Sequence, residues 1–285
     1  MNSSSELRLA IGQQLYRIES PFGALPADTG TVSDVAGAPD GSICLLTRRD
    51  PRVSAPADCV HVLDRDGALL RSWGAGRITD AHKIAIDPQS RVWVVDRDAH
   101  EVVVFDMQGQ ELMAIGQRHG PGQPFNHPTD VAFLSDGGFV VTDGYAGAQV
   151  HVFGPEGERI RAFGSLGRPP GQFIVPHGVA VLSGDRIVVA DRENDRVQIF
   201  SREGEVLGVF DVFCRPMDVF VDAQDTIFVT DAIPTLTRIN DRGEVLGRGR
   251  GSLNGPHGFS EGRSGEILLA ETNPSRLSRL IPLRA

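Results

Sequence analysis

The chain has 285 residues, 40% of them hydrophobic, with 33 glycines, 18 prolines and a formal net charge of −9. The acidic balance argues against nucleic acid as a partner, because phosphate binding needs a concentrated basic surface. No apolar run approaches the length of about 18 residues that a membrane-spanning helix needs, so we expect no membrane partner. The glycine and proline content is typical of many short strands joined by tight turns.

The first twenty residues and the cysteines give information about the cellular compartment of the protein. The N-terminal segment lacks the basic and apolar regions of a signal peptide. Cys44, Cys59 and Cys214 are an odd number of cysteines at irregular spacing, which fits free thiols in a reducing compartment better than a disulfide framework. Both observations predict a cytoplasmic protein, and the sequence leaves the oligomeric state open.

Six similar units follow one another along the chain, about 40 to 50 residues apart. Each opens on a histidine or an aspartate, and the six opening residues are Asp34, His82, Asp130, His177, Asp218 and His257. An apolar run follows the opening residue, then a β-branched strand that ends near a polar residue, then a third strand and in most units a fourth. Four short strands in a unit of this length are typical of a β-propeller blade. A helical solenoid is excluded, because no segment of useful length shows an apolar period of 3.6 residues.

The last unit, residues 255–283, holds only three strands. We expect its outer strand to come from the N-terminal segment QQLYRIESPFG, because such a closure leaves no strand edge exposed. The prediction is an all-β, six-bladed β-propeller closed by an N-terminal strand, forming a single domain over residues 1–285. Its blades would open near residues 34, 82, 130, 177, 218 and 257.

Histidine occupies every second opening position. In a closed ring of six blades, alternate blades lie about 120° apart around one axis. His82, His177 and His257 would then converge near one mouth of the central channel. Three neutral imidazoles with an open fourth position are a common catalytic zinc arrangement, although iron(II) or cobalt(II) would also suit them. The alternative interpretation is that each histidine only caps the start of a strand.

The second strands of the units end in polar residues that could face the same mouth. Tyr145 and Arg192 follow two of these strands, and Arg48 and Arg49 end another. An arginine recognises a carboxylate through two hydrogen bonds, and a phenol beside a metal and a cation can serve as a base. For Arg48 and Arg97, a salt bridge to a carboxylate of a blade turn is an equally good interpretation.

The other polar positions favour structural roles. We expect Asp34, Asp130 and Asp218 to cap backbone amides, although one of them could orient a ligand imidazole. His127 lies beside the third opening position and could line a pocket there. Four further histidines fall on third strands or loops and are predicted to face solvent: His61, His100, His119 and His151.

The repeats resemble those of NHL-repeat propellers, and four segments resemble peptidyl-α-hydroxyglycine α-amidating lyase. These segments are GQFIVPHGVAVLSGDRIVVADRENDRVQIF, HPTDVAFLSDGGFVVTDGYAGAQVHVF, DAHKIAIDPQSRVWVVD and NGPHGF. The more specific motifs are VPH followed by VADREN, and DGY. The resemblance implies a six-bladed propeller with a zinc ion held by His82, His177 and His257.

The same resemblance implies Tyr145 as the catalytic base and Arg49 and Arg192 as the arginines that hold substrate charge. The implied reaction cleaves an N-acyl α-hydroxyglycine-type carbinolamide, N–C(OH)–COOH, into an amide and glyoxylate. The partner would therefore be a small-molecule or short peptide-like carboxylate.

The chain departs from that family at several positions. Asn126 and Ala146 stand where two disulfide cysteines are expected. Gly258 stands where an aspartate binds a structural calcium, so calcium is not expected here. Gly255 replaces a methionine of the pocket wall.

Two other functions stay open on the sequence. A metal-dependent hydrolase of a lactone or amide would use zinc-bound hydroxide in the same pocket. The propellers that resemble gluconolactonase imply carboxylate and asparagine ligands, where this chain offers histidines. A non-catalytic NHL module would present its face to another protein and would bind no metal at the three histidines.

Overall fold

The computed structural model describes residues 6–25, 29–250 and 252–283. The expectation that no signal peptide is present rests partly on residues 1–5, which lie outside these ranges. In chain order the strands are β1 (Arg8–Ile11), β2 (Gln14–Glu19), β3 (Thr31–Gly37), β4 (Ile43–Arg48), β5 (Val60–Leu63), β6 (Leu69–Trp73), β7 (Ala81–Ile86), β8 (Val92–Asp96), β9 (Glu101–Phe105), β10 (Glu111–Ile115), β11 (Pro128–Phe133), β12 (Phe139–Asp143), β13 (Gln149–Phe153), β14 (Arg159–Phe163), β15 (Pro176–Leu182), β16 (Arg186–Asp191), β17 (Arg196–Phe200), β18 (Val206–Phe210), β19 (Pro216–Val221), β20 (Ile227–Asp231), β21 (Leu236–Ile239), β22 (Val245–Gly249), β23 (Pro256–Glu261), β24 (Ile267–Thr272) and β25 (Ser275–Pro282). Two short 3-10 turns, Ser183–Asp185 and Arg192–Asn194, complete the regular elements of the described ranges.

The strands form six antiparallel sheets arranged as the blades of a propeller. Blades one to five each take four consecutive strands, from β3–β6 through β19–β22. Their first strands, together with β23 of blade six, contact one another in a closed ring around the central channel. The predicted all-β, six-bladed architecture is therefore confirmed.

Blade six joins the two ends of the chain. Its strand order from the channel outward is β23, β24, β25, β2 and β1. The N-terminal strand β2 pairs with β25 as predicted, with Ile18 opposite Leu280. Strand β1 adds a fifth strand that the sequence interpretation did not foresee. It turns back on β2 at Gly12, whose φ of +64° and contact with the Leu246 carbonyl leave no room for a side chain.

The core lies between neighbouring blades. Second and third strands such as β8 (VWVVD) and β9 (EVVVF) are buried along their whole length. Both faces of such a strand pack against an adjacent blade, which is why their sequences are continuous apolar runs and do not alternate. The outer strands keep exposed residues, for example Leu112 of β10. Cys44 is fully buried, and all three cysteines are free thiols.

Each inner strand carries a β-bulge close to its start, where one residue has no partner on the second strand. The bulged residues are Ser33, His82, Thr129, His177, Met217 and His257, and we call this set the histidine layer. The residues that follow them form a second ring, the aspartate layer: Asp34, Lys83, Asp130, Gly178, Asp218 and Gly258.

The two layers correct the alignment of the repeats. The sequence interpretation placed the aspartates at the same position as the histidines, and this is wrong by one residue. In the strand pairing, Asp34 lies opposite Leu46, and its counterpart in blade two, opposite Val95, is Lys83. The bulge breaks the alternation of an ordinary strand, so two successive side chains can both turn toward the channel.

In the described ranges, no helix has the length and apolar character needed to cross a bilayer.

Candidate metal centre

His82, His177 and His257 meet at one mouth of the channel, as the sequence predicted. The three rings are buried, and their centroids lie 4.9 to 5.2 Å apart. One ligand nitrogen from each ring lies within 4.8 Å of the others. Among the described residues, this is the one cluster of histidine, cysteine or acidic side chains with such geometry. The arrangement provides three nitrogen ligands around one point.

Backbone carbonyls of the neighbouring blades set the orientation of these rings. Each Nδ1 lies close to the carbonyl oxygen of the bulged residue in the next blade: His82 to Thr129 at 2.7 Å, His177 to Met217 at 2.6 Å, and His257 to Ser33 at 2.7 Å. Because a carbonyl only accepts hydrogen bonds, each Nδ1 carries the proton and donates it. Each Nε2 is therefore unprotonated and carries the lone pair that a metal ion would bind, and this is the usual way in which surrounding groups orient ligand histidines.

The protonation state of the histidines suits the same role. Burial lowers the pKa of all three imidazoles, and for His257 it falls to about 3. Neighbouring positive charges add to the effect, including Lys83 for His257 and Arg48 for His82. The rings are thus neutral at physiological pH, which is the form that binds metals.

The aspartates of the second layer bind backbone amides of the next blade. Asp34 accepts a hydrogen bond from the N–H of Ile84 at 2.8 Å, and the matching contacts are Asp130 with Val179 at 2.9 Å and Asp218 with Phe259 at 3.1 Å. Each amide lies two residues after a histidine of the candidate metal centre. The predicted role in capping amides is confirmed, and the acceptors for the imidazoles are carbonyls instead. Together these contacts connect all six blades in one circuit around the channel.

Lys83 lies at the centre of the aspartate layer and is almost completely buried. Its ammonium is 2.5 Å from Asp218 Oδ2 and 3.7 Å from Asp34 Oδ1, and it donates a hydrogen bond to the His257 carbonyl at 3.3 Å. Burial alone would lower the pKa of Lys83, but the aspartates raise it above its usual value. The lysine therefore stays charged inside the channel.

Glycine takes the place of this lysine in blades four and six. A Cβ atom at Gly258 would lie 1.8 Å from Asp34 Oδ1, and one at Gly178 would lie 2.8 Å from Asp218 Oδ1. These two positions leave room for the carboxylates. Sequence reasoning missed Lys83, although a signal was present: it is the only lysine in the chain, and it directly follows His82.

Tyr145 lies against the histidines, in the turn after β12. Its hydroxyl is 3.0 Å from the Nε2 atoms of both His82 and His177, and 3.3 Å from Nη1 of Arg192. Since Nε2 has no proton, the phenol can donate to either histidine while it accepts from Arg192. The guanidinium carbons of Arg192 and Arg97 each lie 5.2 Å from the centre of the phenol ring. Two cations thus surround the one tyrosine of the site.

The buried carboxylate of Asp80 holds two of the arginines at this mouth. It lies 2.9 Å from Arg48 and 2.5 Å from Arg97, and Arg97 also pairs with Asp98 at 2.9 Å. The salt bridges anticipated for Arg48 and Arg97 are confirmed. Sequence reasoning missed Asp80 and the contact of Arg97 with the phenol, because both depend on the meeting of blades one to three.

Arg49 lines a cavity of about 560 Å³ that also contains His257. Arg48 lines the same cavity, and its charge lowers the pKa of His82 and His257. Arg192 is largely buried beside the phenol and pairs with Glu193 at 2.9 Å. The structure therefore places Arg49 and Arg192 at the same mouth as the histidines, with Arg48 as an additional neighbour.

The prediction for the other histidines is wrong in three cases. His61, His100 and His151 are buried, whereas His119 is exposed. The third strands, which carry His61 and His151, lie between other strands of their blade and under the adjacent blades, so even their polar residues are covered. His127 packs its ring on His100, with the two centroids 4.3 Å apart.

The fold and site define a six-bladed β-propeller with a buried histidine triad at one channel mouth. The NHL-repeat family pattern matches residues 125–153 and 173–200, so two of the blades carry recognisable NHL repeats.

Three similar proteins add detail. A probable peptidyl-α-hydroxyglycine α-amidating lyase of Caenorhabditis elegans is 33% identical over 149 residues, which cover 50% of this chain and 43% of that protein. The peptidylglycine α-amidating monooxygenase of Rattus norvegicus is 37% identical over 158 residues, which cover 51% of this chain and 16% of that protein. The chain thus matches less than half the length of either relative. A solved gluconolactonase from Xanthomonas campestris shares the fold, with a TM-score of 0.73, 14% identity and coverage of 99% and 96% of the two chains. The chain resembles amidating lyases in sequence.

Proposed function

We propose that the protein is a metal-dependent lyase that cleaves an N-acyl α-hydroxyglycine-type substrate into an amide and glyoxylate. The observation that carries the proposal is the set of three neutral imidazoles, whose unprotonated Nε2 atoms converge beside Tyr145 and Arg192. The sequence similarity to amidating lyases supports the same reaction. The proposal includes the expected partner, a small or short peptide-like carboxylate in the cytoplasm.

His82, His177 and His257 would hold the metal, and their donor chemistry fits zinc or a similar transition ion. Their Nδ1–H groups are bound to carbonyls, so the rings need no rearrangement to present Nε2. A metal bound there would supply Lewis acidity to the substrate's hydroxyl or carboxylate oxygen and would leave a coordination position for it.

Tyr145 would be the base. As the phenolate it would take the proton of the substrate's hydroxyl, the O–H electrons would form the C=O bond of glyoxylate, and the C–N bond would break. The Tyr145 phenol would then give this proton to the amide nitrogen, so that the products are a neutral amide and glyoxylate and the phenolate is restored. Arg192 donates to the phenol oxygen and would stabilise its charged form. Arg49, with Arg48 beside it, would bind the α-carboxylate.

The test is product identity with α-hydroxyhippurate, combined with metal analysis of protein purified without chelator. We expect about one transition metal ion per chain and equal amounts of benzamide and glyoxylate. Hippurate, which lacks the hydroxyl, should yield neither product. Benzoate in place of benzamide would identify a hydrolase. Protein without metal and without either reaction would overturn the proposal in favour of an interaction module.

A further inference from the structure

A second cavity adjoins the one that contains His257. It has a volume of about 180 Å³ and lies at the junction of blades one and two. The two cavities share four lining residues, Arg48, Arg49, Pro51 and Ser54. The shared arginines therefore stand at the boundary between the two spaces.

The walls of the two cavities differ in chemistry. The one with His257 is lined largely by charged and hydroxyl side chains, including Asp80 and Arg97. Beyond the shared residues, the larger part of the smaller cavity's lining is apolar: Ala55, Pro56, Ala57, Cys59, Ile78 and Ala81. Thr29, Thr47, Asp58, Gly76 and Thr79 complete it. Burial raises the pKa of the Cys59 thiol to about 12, so this residue also stays uncharged. A charged compartment thus lies beside a mainly apolar one.

We propose that the smaller cavity is the acyl pocket of the site and that it receives an apolar group of about the size of a phenyl ring. Specific ligand sites are mostly apolar, with a few polar groups that set the orientation of the ligand. A cavity of about 150 Å³ lined by apolar side chains holds benzene in another protein, so a space of this order suits such a group. The placement of the ligand's reacting end rests on the proposed function, which puts its carboxylate at Arg48 and Arg49. The substrate class is then a small N-acyl α-hydroxyglycine with an apolar acyl group.

The structure supplies the reason for this placement. Ala81 begins β7 and directly precedes His82, and the shared arginines connect the smaller cavity with the one that His257 lines. Ala55, Pro56 and Ala57 belong to the loop between β4 and β5, which covers the space from blade one. A ligand whose carboxylate lies at the shared arginines can therefore extend its acyl group between the two blades.

The test uses binding of unreactive analogues, measured by calorimetry on the protein as purified. Hippurate, N-benzoylglycine, should bind about 10- to 100-fold more tightly than N-acetylglycine, because the two differ in the apolar group. Ala57→Trp should fill the pocket and weaken the binding of hippurate about tenfold or more, with little effect on the binding of N-acetylglycine. Ala162→Trp, on the exposed outer strand of blade three, is the matched control and should change neither affinity.

A second variant tests the pocket by a gain of binding. Ile78→Ala should enlarge the space and raise the affinity for N-naphthoylglycine about tenfold relative to the unchanged protein. Equal affinities for hippurate and N-acetylglycine, or an Ala57→Trp variant that weakens both alike, would overturn the assignment. The analogues carry no hydroxyl, so the result is independent of turnover. Glyoxylate release without any preference for the acyl group would support the lyase proposal and would contradict the assignment of the smaller cavity as an acyl pocket.

Discussion

The histidine layer and the aspartate layer lie one residue apart on the same inner strands, yet they differ in what they leave available. In the first, each imidazole uses Nδ1 to bind a carbonyl and leaves Nε2 unprotonated. In the second, the carboxylates bind backbone amides and share a single internal ammonium. The same backbone circuit therefore builds one layer with unprotonated ring nitrogens and one whose carboxylates surround an internal ammonium.

Burial shifts the ionisable groups of the two layers in opposite directions. It lowers the pKa of the histidines and favours their neutral form. It raises the pKa of Asp34 to about 7 and that of Asp130 well above its usual value, although Lys83 counteracts the shift. A buried charge is tolerated only where an opposite charge is close, and Lys83 supplies that charge. The difference teaches that the histidine layer holds neutral rings with unprotonated nitrogens, whereas the aspartate layer contains a buried cation.

Removing one ligand of the histidine layer should have the largest effect. His177→Ala should lose the bound metal and, with it, all lyase activity, because two imidazoles hold a transition ion far less firmly than three. Metal content measured by plasma emission spectrometry checks this. The control His119→Ala alters an exposed histidine and should keep full occupancy. Full occupancy in His177→Ala would contradict the ligand assignment.

Tyr145→Phe removes the hydroxyl that forms hydrogen bonds with Nε2 of His82 and His177. Turnover of α-hydroxyhippurate should fall by about 10²- to 10⁴-fold with unchanged metal content, as is typical when a general base is lost. The chain has only one other tyrosine, Tyr16, which lies in β2 of blade six. Tyr16→Phe is therefore the matched control and should retain its rate. A Tyr145→Phe variant with normal turnover would exclude the phenol from the reaction.

Lys83→Met tests the aspartate layer. The change leaves several buried carboxylates without their ammonium, which should lower the free energy of unfolding by about 3 to 5 kcal/mol. Urea denaturation followed by fluorescence measures the effect. Adding Asp218→Asn should recover part of the loss, because one of the unpaired charges is removed. If Lys83→Met alone is as stable as the parent, the ammonium does not hold the layer together.

The pH dependence of stability should separate the layers in metal-free protein. Because the pKa of the Asp34 carboxyl is raised, the folded state keeps this proton to a higher pH than the unfolded state does. Protonated Asp34 therefore stabilises the fold at low pH. This contribution is lost as the pH rises from the usual carboxyl pKa of 3.8 to about 7. The histidines act in the opposite sense, because their pKa is lowered, and their contribution is complete above the usual histidine value of 6.5. Between pH 6.5 and 8, a further loss of roughly 1 kcal/mol should therefore come from Asp34. Urea titrations should show this slope in the parent and a flatter one in Asp34→Asn. Equal slopes would place the titration elsewhere.

Much of the architecture could be predicted from the pattern of residues. The repeat length and the β-branched second strands led to six blades, and the incomplete last unit led to the closing strand β2. The alternation of His82, His177 and His257 led to their convergence, because a closed ring converts periodic spacing into a common axis. These features depend on local strand propensity and on a repeat that every blade obeys.

Other features of the structure could not be predicted from the sequence pattern. The one-residue offset between His82 and Asp34 arises from bulges, which the sequence does not mark. The burial of His61 and His151 depends on how the adjacent blades cover the third strands. The fifth strand, β1, depends on its packing beside β22 of blade five.

The sequence by itself determined the number of blades and the convergence of His82, His177 and His257, because both follow from a repeated strand pattern. Only the tertiary structure decided which atoms of those residues are free. His257 binds the carbonyl of Ser33, 224 positions away in the chain, and Lys83 meets Asp218 from a different blade. Such contacts depend on how the side chains of several blades are oriented toward one another around the channel. They exist only once the ring has closed.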